Sequence, residues 1–267
     1  MKKHKKFINI LLIILLIISA INYDRIATKI IQKLPESTNR YLAELYKPDK
    51  LWLHRVDSVN KQIELSPKYN GGGIEFDIIY HEKENAFENS HDIDSLAKYN
   101  LEEQFKTYDE LGIHNGIWLD FKNLTQDNKF MAKQKLDELL QKYNISKDVI
   151  WLESGNWQAL DIFKQDGYRT SYYLPYYKFE NMSGSEIDKA QQDTLLAANS
   201  GNITAISFYG GYYDFIKSLP LPDNIVFLSW LNDSPWYEIV IRHKYQNMLN
   251  DEKVKVILIK DIGNYNR

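Results

Sequence analysis

From Leu51 onward, short apolar runs alternate with helix-like segments, and this alternation leaves few architectures open. Strand-like runs cover Leu51–Val56, Gly73–Tyr80, Gly116–Lys122, Val149–Glu153, Arg169–Leu174, Ala205–Tyr209, Asn224–Trp230 and Val254–Ile259. Helix-like segments lie at Leu101–Leu111, Asp127–Tyr143, Asn156–Asp166, Ser185–Ala198 and Glu238–Asn250, with a short one at Tyr212–Leu219. Strands that alternate with helices imply a parallel sheet. Eight such strands in roughly 200 residues predict an α/β protein of the closed (β/α)8 TIM-barrel type. An open doubly wound sheet is the rival architecture, but no glycine-rich phosphate loop follows the first strand. Gly71-Gly72-Gly73 precedes a strand and reads as a turn.

The first 25 residues stand apart. A basic opening, Lys2-Lys3-His4-Lys5-Lys6, leads into the apolar run Phe7–Ile21. That pattern predicts an export signal or an uncleaved N-terminal membrane anchor, with the lysines held on the cytoplasmic side and the rest of the chain outside. The anchor is the preferred reading, because Ile18 stands two residues before Ala20 where a cleavage site needs a small residue. A secreted or periplasmic protein after signal cleavage is the alternative. Residues 26–50 read as a stem, with Ile26, Ile30, Ile31 and Leu34 at helical spacing before Pro35 and Pro48. Residues 51–267 form the barrel.

Composition narrows the chemistry. The 267 residues hold 33 Lys+Arg against 36 Asp+Glu, so no positive excess offsets a nucleic-acid backbone. There is no Cys, which removes disulfide scaffolds, thiol nucleophiles and zinc-thiolate sites.

The strands carry charge where a buried strand should not. Residues i and i+2 of a strand face the same side. Glu75 and Asp77 therefore share one face, and Asp120 and Lys122 share another, while Ile74, Phe76, Ile78, Leu119 and Phe121 face the other way. With the apolar faces under the outer helices, the charged ones point into the barrel near its C-terminal mouth. Carboxylates crowded there stay ionised only with compensating cations. Arg55 and Lys122 offer two. Glu75, Asp77 and Asp120 also form an all-oxygen donor set for a divalent cation, Mg²⁺ or Ca²⁺. His54, at the end of the first strand, and His91, in the loop after the second, fall at the same mouth. Two imidazoles beside a metal and an Arg/Lys pair suit the cleavage of a phosphodiester by general acid–base catalysis.

The order His54-Arg55, Glu75-x-Asp77, His91-Asp92, and then an acidic-x-Lys pair resembles the glycerophosphodiester phosphodiesterase family. Ile93-Asp94-Ser95-Leu96 and Leu101-Glu102-Glu103 are similar to the family's "TL-EE" helix start. The likeness covers about residues 51–125; beyond that, the βα rhythm and Trp230 match. It implies a TIM barrel that is a phosphoric diester hydrolase. His54 and His91 would be the acid/base pair, Glu75, Asp77 and Asp120 the metal ligands, and Arg55 and Lys122 the phosphate holders. The implied substrate is a small-molecule or lipid phosphodiester in the cell envelope.

Two features depart from the family pattern. The third-strand motif is Asp120-Phe121-Lys122 instead of E-x-K, similar to the cyclising phospholipase D toxins and, with Leu119 and the Asp57-Ser58 pair, to the menorin proteins. Val56-Asp57-Ser58-Val59 replaces the segment that shapes the family's glycerol pocket. A transfer giving a cyclic phosphate, or an inactive barrel that binds a phosphorylated headgroup or a partner, are the alternatives. Glu153 ends the fourth predicted strand as a further pocket residue, a ligand or an orienter of Lys122. Trp230 ends the seventh and is placed to stack over substrate. Tyr172, Tyr173, Tyr176 and Tyr177 cluster around the end of the fifth.

Overall fold

The computed structural model describes residues 48–65, 72–91, 100–113, 115–175, 182–235 and 243–260. The strands are β1 (Leu51–Leu53), β2 (Ile74–His81), β3 (Ala86–Asn89), β4 (Ile117–Phe121), β5 (Ile150–Ser154), β6 (Arg169–Tyr173), β7 (Ala205–Tyr209), β8 (Val226–Pro235) and β9 (Val254–Lys260). Between them lie α1 (Val59–Leu65), α2 (Leu101–Glu110), α3 (Lys129–Lys142), α4 (Asp161–Gln165), α5 (Gly184–Asn199), α6 (Tyr213–Ser218) and α7 (His243–Asn250).

Eight strands pair in parallel in the order β1-β2-β4-β5-β6-β7-β8-β9, and β9 pairs back onto β1 to close the barrel. All eight predicted strands are present, with shifted ends. The ninth strand, β3, was not anticipated. It folds back antiparallel onto the C-terminal half of β2, pairing Ile78 with Asn89 and His81 with Ala86. β1 is short enough to leave that part of the β2 edge free, and the hairpin covers it.

The first strand stops at Leu53, not Val56. Arg55 adopts a left-handed backbone, φ 55°, which no strand accommodates. The helix α1 follows it, buries Gln62 and Leu65, and was not foreseen either. The segment predicted as one helix over Asn156–Asp166 is a 3₁₀ turn, Trp157–Leu160, running into α4.

Strand alternation sorts the core in two. Outward-facing residues such as Phe76, Ile78, Leu119, Phe121 and Leu152 join the helices in one continuous cluster. Inward-facing Trp52, Trp118, Trp151, Ala205, Leu228, Val256 and Leu258 fill the barrel interior. Trp52 closes its lower end. A Cβ at Gly73 or Gly116, the residues just before β2 and β4, would collide with the Trp52 indole. Both positions need glycine for that close approach. Asp49 accepts a hydrogen bond from Trp52 Nε1 at 3.1 Å, and Lys50 Nζ donates to the carbonyl of Asp251 at 2.8 Å, which ties the turn at Pro48–Lys50 to the barrel.

The predicted anchor at residues 1–25 and the stem as far as residue 47 lie outside the described residues, as do Asp92 and the stretch 93–99, Tyr176 and Tyr177. Among the described residues, no helix is long and apolar enough to cross a membrane.

Candidate active site

The parallel register builds the site. Asp77 on β2 stands opposite Asp120 on β4, and Asp120 stands opposite Glu153 on β5. Neighbouring strands lie about 4.8 Å apart, so one acid at the same level on three adjacent strands makes a row of carboxyl groups at the upper end of the barrel. Glu75 sits one inward position lower on β2. Carboxylate oxygens of Glu75, Asp77 and Asp120 all lie within 4.8 Å of one another.

One cavity of about 100 Å³ collects these groups. Its lining contains His54, Arg55, Glu75, Asp77, His91, Asp120, Lys122, Glu153 and Trp230, the residues to which the sequence reading gave catalytic, metal, phosphate or pocket roles. It also contains Trp118, Tyr173 and Leu258. Tyr173 stacks on Trp230 with ring centroids 5.3 Å apart and planes 8° apart, forming a flat aromatic wall. Tyr172, its neighbour on β6, faces the outer core.

The turn after β1 is built around Glu75. The left-handed Arg55 aims its backbone N–H at Glu75 Oε2, which accepts at 2.6 Å. Such a backbone costs roughly 1–3 kcal/mol in a residue with a side chain, and strain of this kind clusters at functional sites. His54 Nε2 lies 3.9 Å from the same Glu75 oxygen. The Arg55 guanidinium reaches Asp77, with Nε 3.8 Å from Oδ2. Lys61 on α1 steadies the turn from outside by donating to the Arg55 carbonyl. On the other flank, Ser90 N donates to the Asp77 carbonyl at 3.0 Å, which delivers His91 to the mouth.

Lys122 balances the acids. Its Nζ lies 2.7 Å from Asp77 Oδ1 and also pairs with Asp120. Burial pushes the ammonium pKa down, but the Asp120 and Asp77 charges outweigh that and hold it well above its ordinary value. Burial raises Glu75 well above the carboxylate range, and the charges of Asp77 and Asp120 add to the shift. Burial likewise raises Glu153, with the Asp120 charge next. Asp120 is raised by burial and held back by Lys122. Burial and the Glu153 charge push the Tyr173 hydroxyl up to about 12. Burial is the first cause for all three acids, and Lys122 offsets it in part.

The donor set fits a hard divalent cation. All three converging groups are carboxylates, oxygen donors of the kind Mg²⁺ and Ca²⁺ prefer. Glu153 Oε2 beside them is buried and makes no hydrogen bond among the described residues. Trp118 Nε1, below, is buried and likewise without a hydrogen-bond partner there. Sequence reasoning had passed over Trp118. The available signal was its place two residues before Asp120, on the same inward face.

No family model matches the sequence, and no curated protein does. Solved structures do match. A glycerophosphodiester phosphodiesterase from Parabacteroides distasonis ATCC 8503 aligns over 80% of this chain and 92% of its own, at 16% identity and a TM-score of 0.53. The fold is that of the glycerophosphodiester phosphodiesterase barrels. A candidate glycerophosphodiester phosphodiesterase from Galdieria sulphuraria covers 80% of this chain and 93% of its own, at 15% identity and TM-score 0.50. A third such barrel, a candidate from Silicibacter pomeroyi DSS-3, covers 79% and 89%, at 10% identity and TM-score 0.51. At these identities the likeness is one of architecture. What the cavity does is argued from its own residues.

Proposed function

We propose that this chain is a divalent-metal-dependent phosphodiester hydrolase. The observation that carries the reading is the convergence of three carboxylates within 4.8 Å of one another, in a cavity that also holds two histidines, an arginine and a lysine. Glu75, Asp77 and Asp120 would hold Mg²⁺ or Ca²⁺. When bound, the ion supplies Lewis-acid neutralisation of charge on the phosphoryl oxygens.

The chain's own groups do the rest. Arg55 and Lys122 bind the anionic phosphate and orient it, since both reach the cavity from its rim. One of the pair His54 and His91 takes the proton of the attacking water. The other returns a proton to the departing alcohol oxygen as the phosphorus–oxygen bond breaks. Water adds to phosphorus, the alcohol leaves protonated, and a phosphomonoester remains. A cavity of about 100 Å³ holds a phosphate and a few atoms, well short of the roughly 300–1,000 Å³ of a site that engulfs a drug-sized ligand. The alcohol therefore rests in the open mouth against the Tyr173–Trp230 wall. A glycerophosphodiester or a phospholipid headgroup meets that requirement.

Hydrolysis of an aryl phosphodiester and of glycerophosphodiesters, with Mg²⁺ or Ca²⁺ and then with chelator, tests the reading. Metal-dependent turnover is the expected result. Phosphorus NMR of the product separates a phosphomonoester from a cyclic phosphate. Phosphodiester binding without turnover under any metal would overturn the hydrolase reading and leave a headgroup-binding barrel. We also propose that the barrel works outside the cytoplasmic membrane, held there by the apolar run Phe7–Ile21. Fractionation of the full chain beside one lacking residues 1–25 tests that placement; identical partition of the two would sink it.

A further inference from the structure

Behind the cavity lies a buried polar link that joins the two histidine-bearing loops. Gln104 on α2 is fully buried. Its side-chain Nε2 donates to the Val56 carbonyl at 2.7 Å, two residues past His54 and next to Arg55. Its Oε1 accepts from Asn89 Nδ2, two residues before His91. Its backbone carbonyl accepts from Gln62 Nε2 on α1 at 3.1 Å. One amide thus bridges the loop after β1 and the return of the β2–β3 hairpin.

The orientation of this amide is dictated by its partners. The Val56 carbonyl can only accept, so the group facing it must be the amide NH₂. The Gln104 oxygen then faces Asn89, which must present its own NH₂. Every other pairing sets two acceptors or two donors against each other. Buried polar groups left without a partner are costly, so the two loops are held in one relative placement.

Resting on the hydrolase reading above, we infer that Gln104 is a positioning residue that sets the distance between His54 and His91. It touches neither substrate nor metal. General acid and general base must reach opposite oxygens of one phosphorus, and a displacement of about 1 Å between catalytic groups can cost on the order of 100-fold in rate. A link made by a fully buried amide that bonds to both loops holds their separation within that tolerance.

The test replaces Gln104 with methionine, close in size and unable to make either hydrogen bond. Ile216→Ala on α6 serves as a control that lowers stability away from the loops. With Gln104→Met, kcat should fall about 10–100-fold at a temperature well below its melting point. KM and Mg²⁺ affinity should stay within about threefold of the wild type, and the pH–rate profile should change shape. The Ile216→Ala control should lower the melting temperature and leave kcat per folded molecule intact. If Gln104→Met keeps kcat within about twofold while melting earlier, its role is structural and the inference fails. Should that variant not fold, Asn89→Ala breaks only the hairpin side of the link and should still lower kcat about tenfold; unchanged kcat there overturns the inference equally. Nitrogen-15 NMR of the histidine rings gives a reading independent of turnover. Joint movement of the His54 and His91 signals in Gln104→Met supports the link even if no phosphodiester is hydrolysed by the wild type, a result that would sink the hydrolase reading alone. Unmoved signals overturn the link.

Discussion

Lys122 Nζ lies 2.7 Å from Asp77 Oδ1 and pairs at the same time with Asp120, so one ammonium bridges two of the three converging carboxylates. A divalent cation held by those oxygens competes with it for the same negative charge. Lys122→Met should therefore tighten Mg²⁺ or Ca²⁺ binding while lowering turnover, because the phosphate loses a cation. Breaking a buried pair from one side costs about 3–5 kcal/mol, so the metal-free variant should also melt earlier, and added metal should restore much of the loss. Titration calorimetry and melting curves with and without metal check both halves. Weaker metal binding in the variant would contradict the competition.

Asp120→Asn keeps the shape of the side chain and removes one negative ligand. Outer-shell partners of metal sites typically carry about 10–100-fold in affinity or activity, and a direct ligand should carry at least that much. Metal affinity and turnover are expected to fall together, with folding little changed. Unchanged affinity by calorimetry removes Asp120 from the ligand set.

The raised carboxyl groups set a pH dependence. Glu75 and Glu153 bind their protons more tightly in the folded chain than in the unfolded one, where a glutamate titrates near about 4.3. Stability of the metal-free protein should therefore fall as pH rises from about 5 toward 8. The surface carboxylate Asp166, lowered to about 2 by Lys133 and Lys147, acts in the opposite sense; its contribution is lost only as pH falls below the ordinary carboxylate range. Histidines also change charge between pH 5 and 8, so the buried carboxyl is read from the difference between the wild type and a Glu153 variant. Melting temperatures in chelator should show the slope, and Glu153→Gln should flatten it. A slope equally steep in that variant means that Glu153 does not titrate as stated.

His54 and His91 should behave as a unit. General acid–base groups contribute roughly 10²–10⁴-fold each, and groups acting together are grossly non-additive. His54→Ala, His91→Ala and the double variant should fall to a similar low rate, with metal affinity near that of the wild type. Full activity in His91→Ala would place the loop after β3 outside the chemistry.

The period-two placement of charge was legible because it depends on single residues. Glu75 with Asp77, and Asp120 with Lys122, needed only strand alternation to be assigned to the barrel interior. The register that sets Asp77 beside Asp120 and Asp120 beside Glu153 was not legible, since it depends on the stagger of the whole barrel. For the same reason Lys122 read as a phosphate holder, and its pairing with Asp77 came only with the structure. The β3 hairpin escaped because its strand is four residues long and follows the charged turn Glu82-Lys83-Glu84-Asn85. The alternation of buried Phe87 and Asn89 was its one faint signal. The early end of β1 was not legible, because nothing in a His-Arg-Val sequence announces the left-handed backbone of Arg55.

Trp52 makes the barrel a cup instead of a tube. The indole is wedged against Gly73 and Gly116 and plugs the floor among the described residues, so the carboxylates are reached from the upper rim. On the proposed hydrolase reading, incoming diester and both departing fragments would share one doorway. The phosphomonoester, carrying the group assigned to Arg55 and Lys122, would be the slower to clear it and should act as a competitive inhibitor of the next turnover.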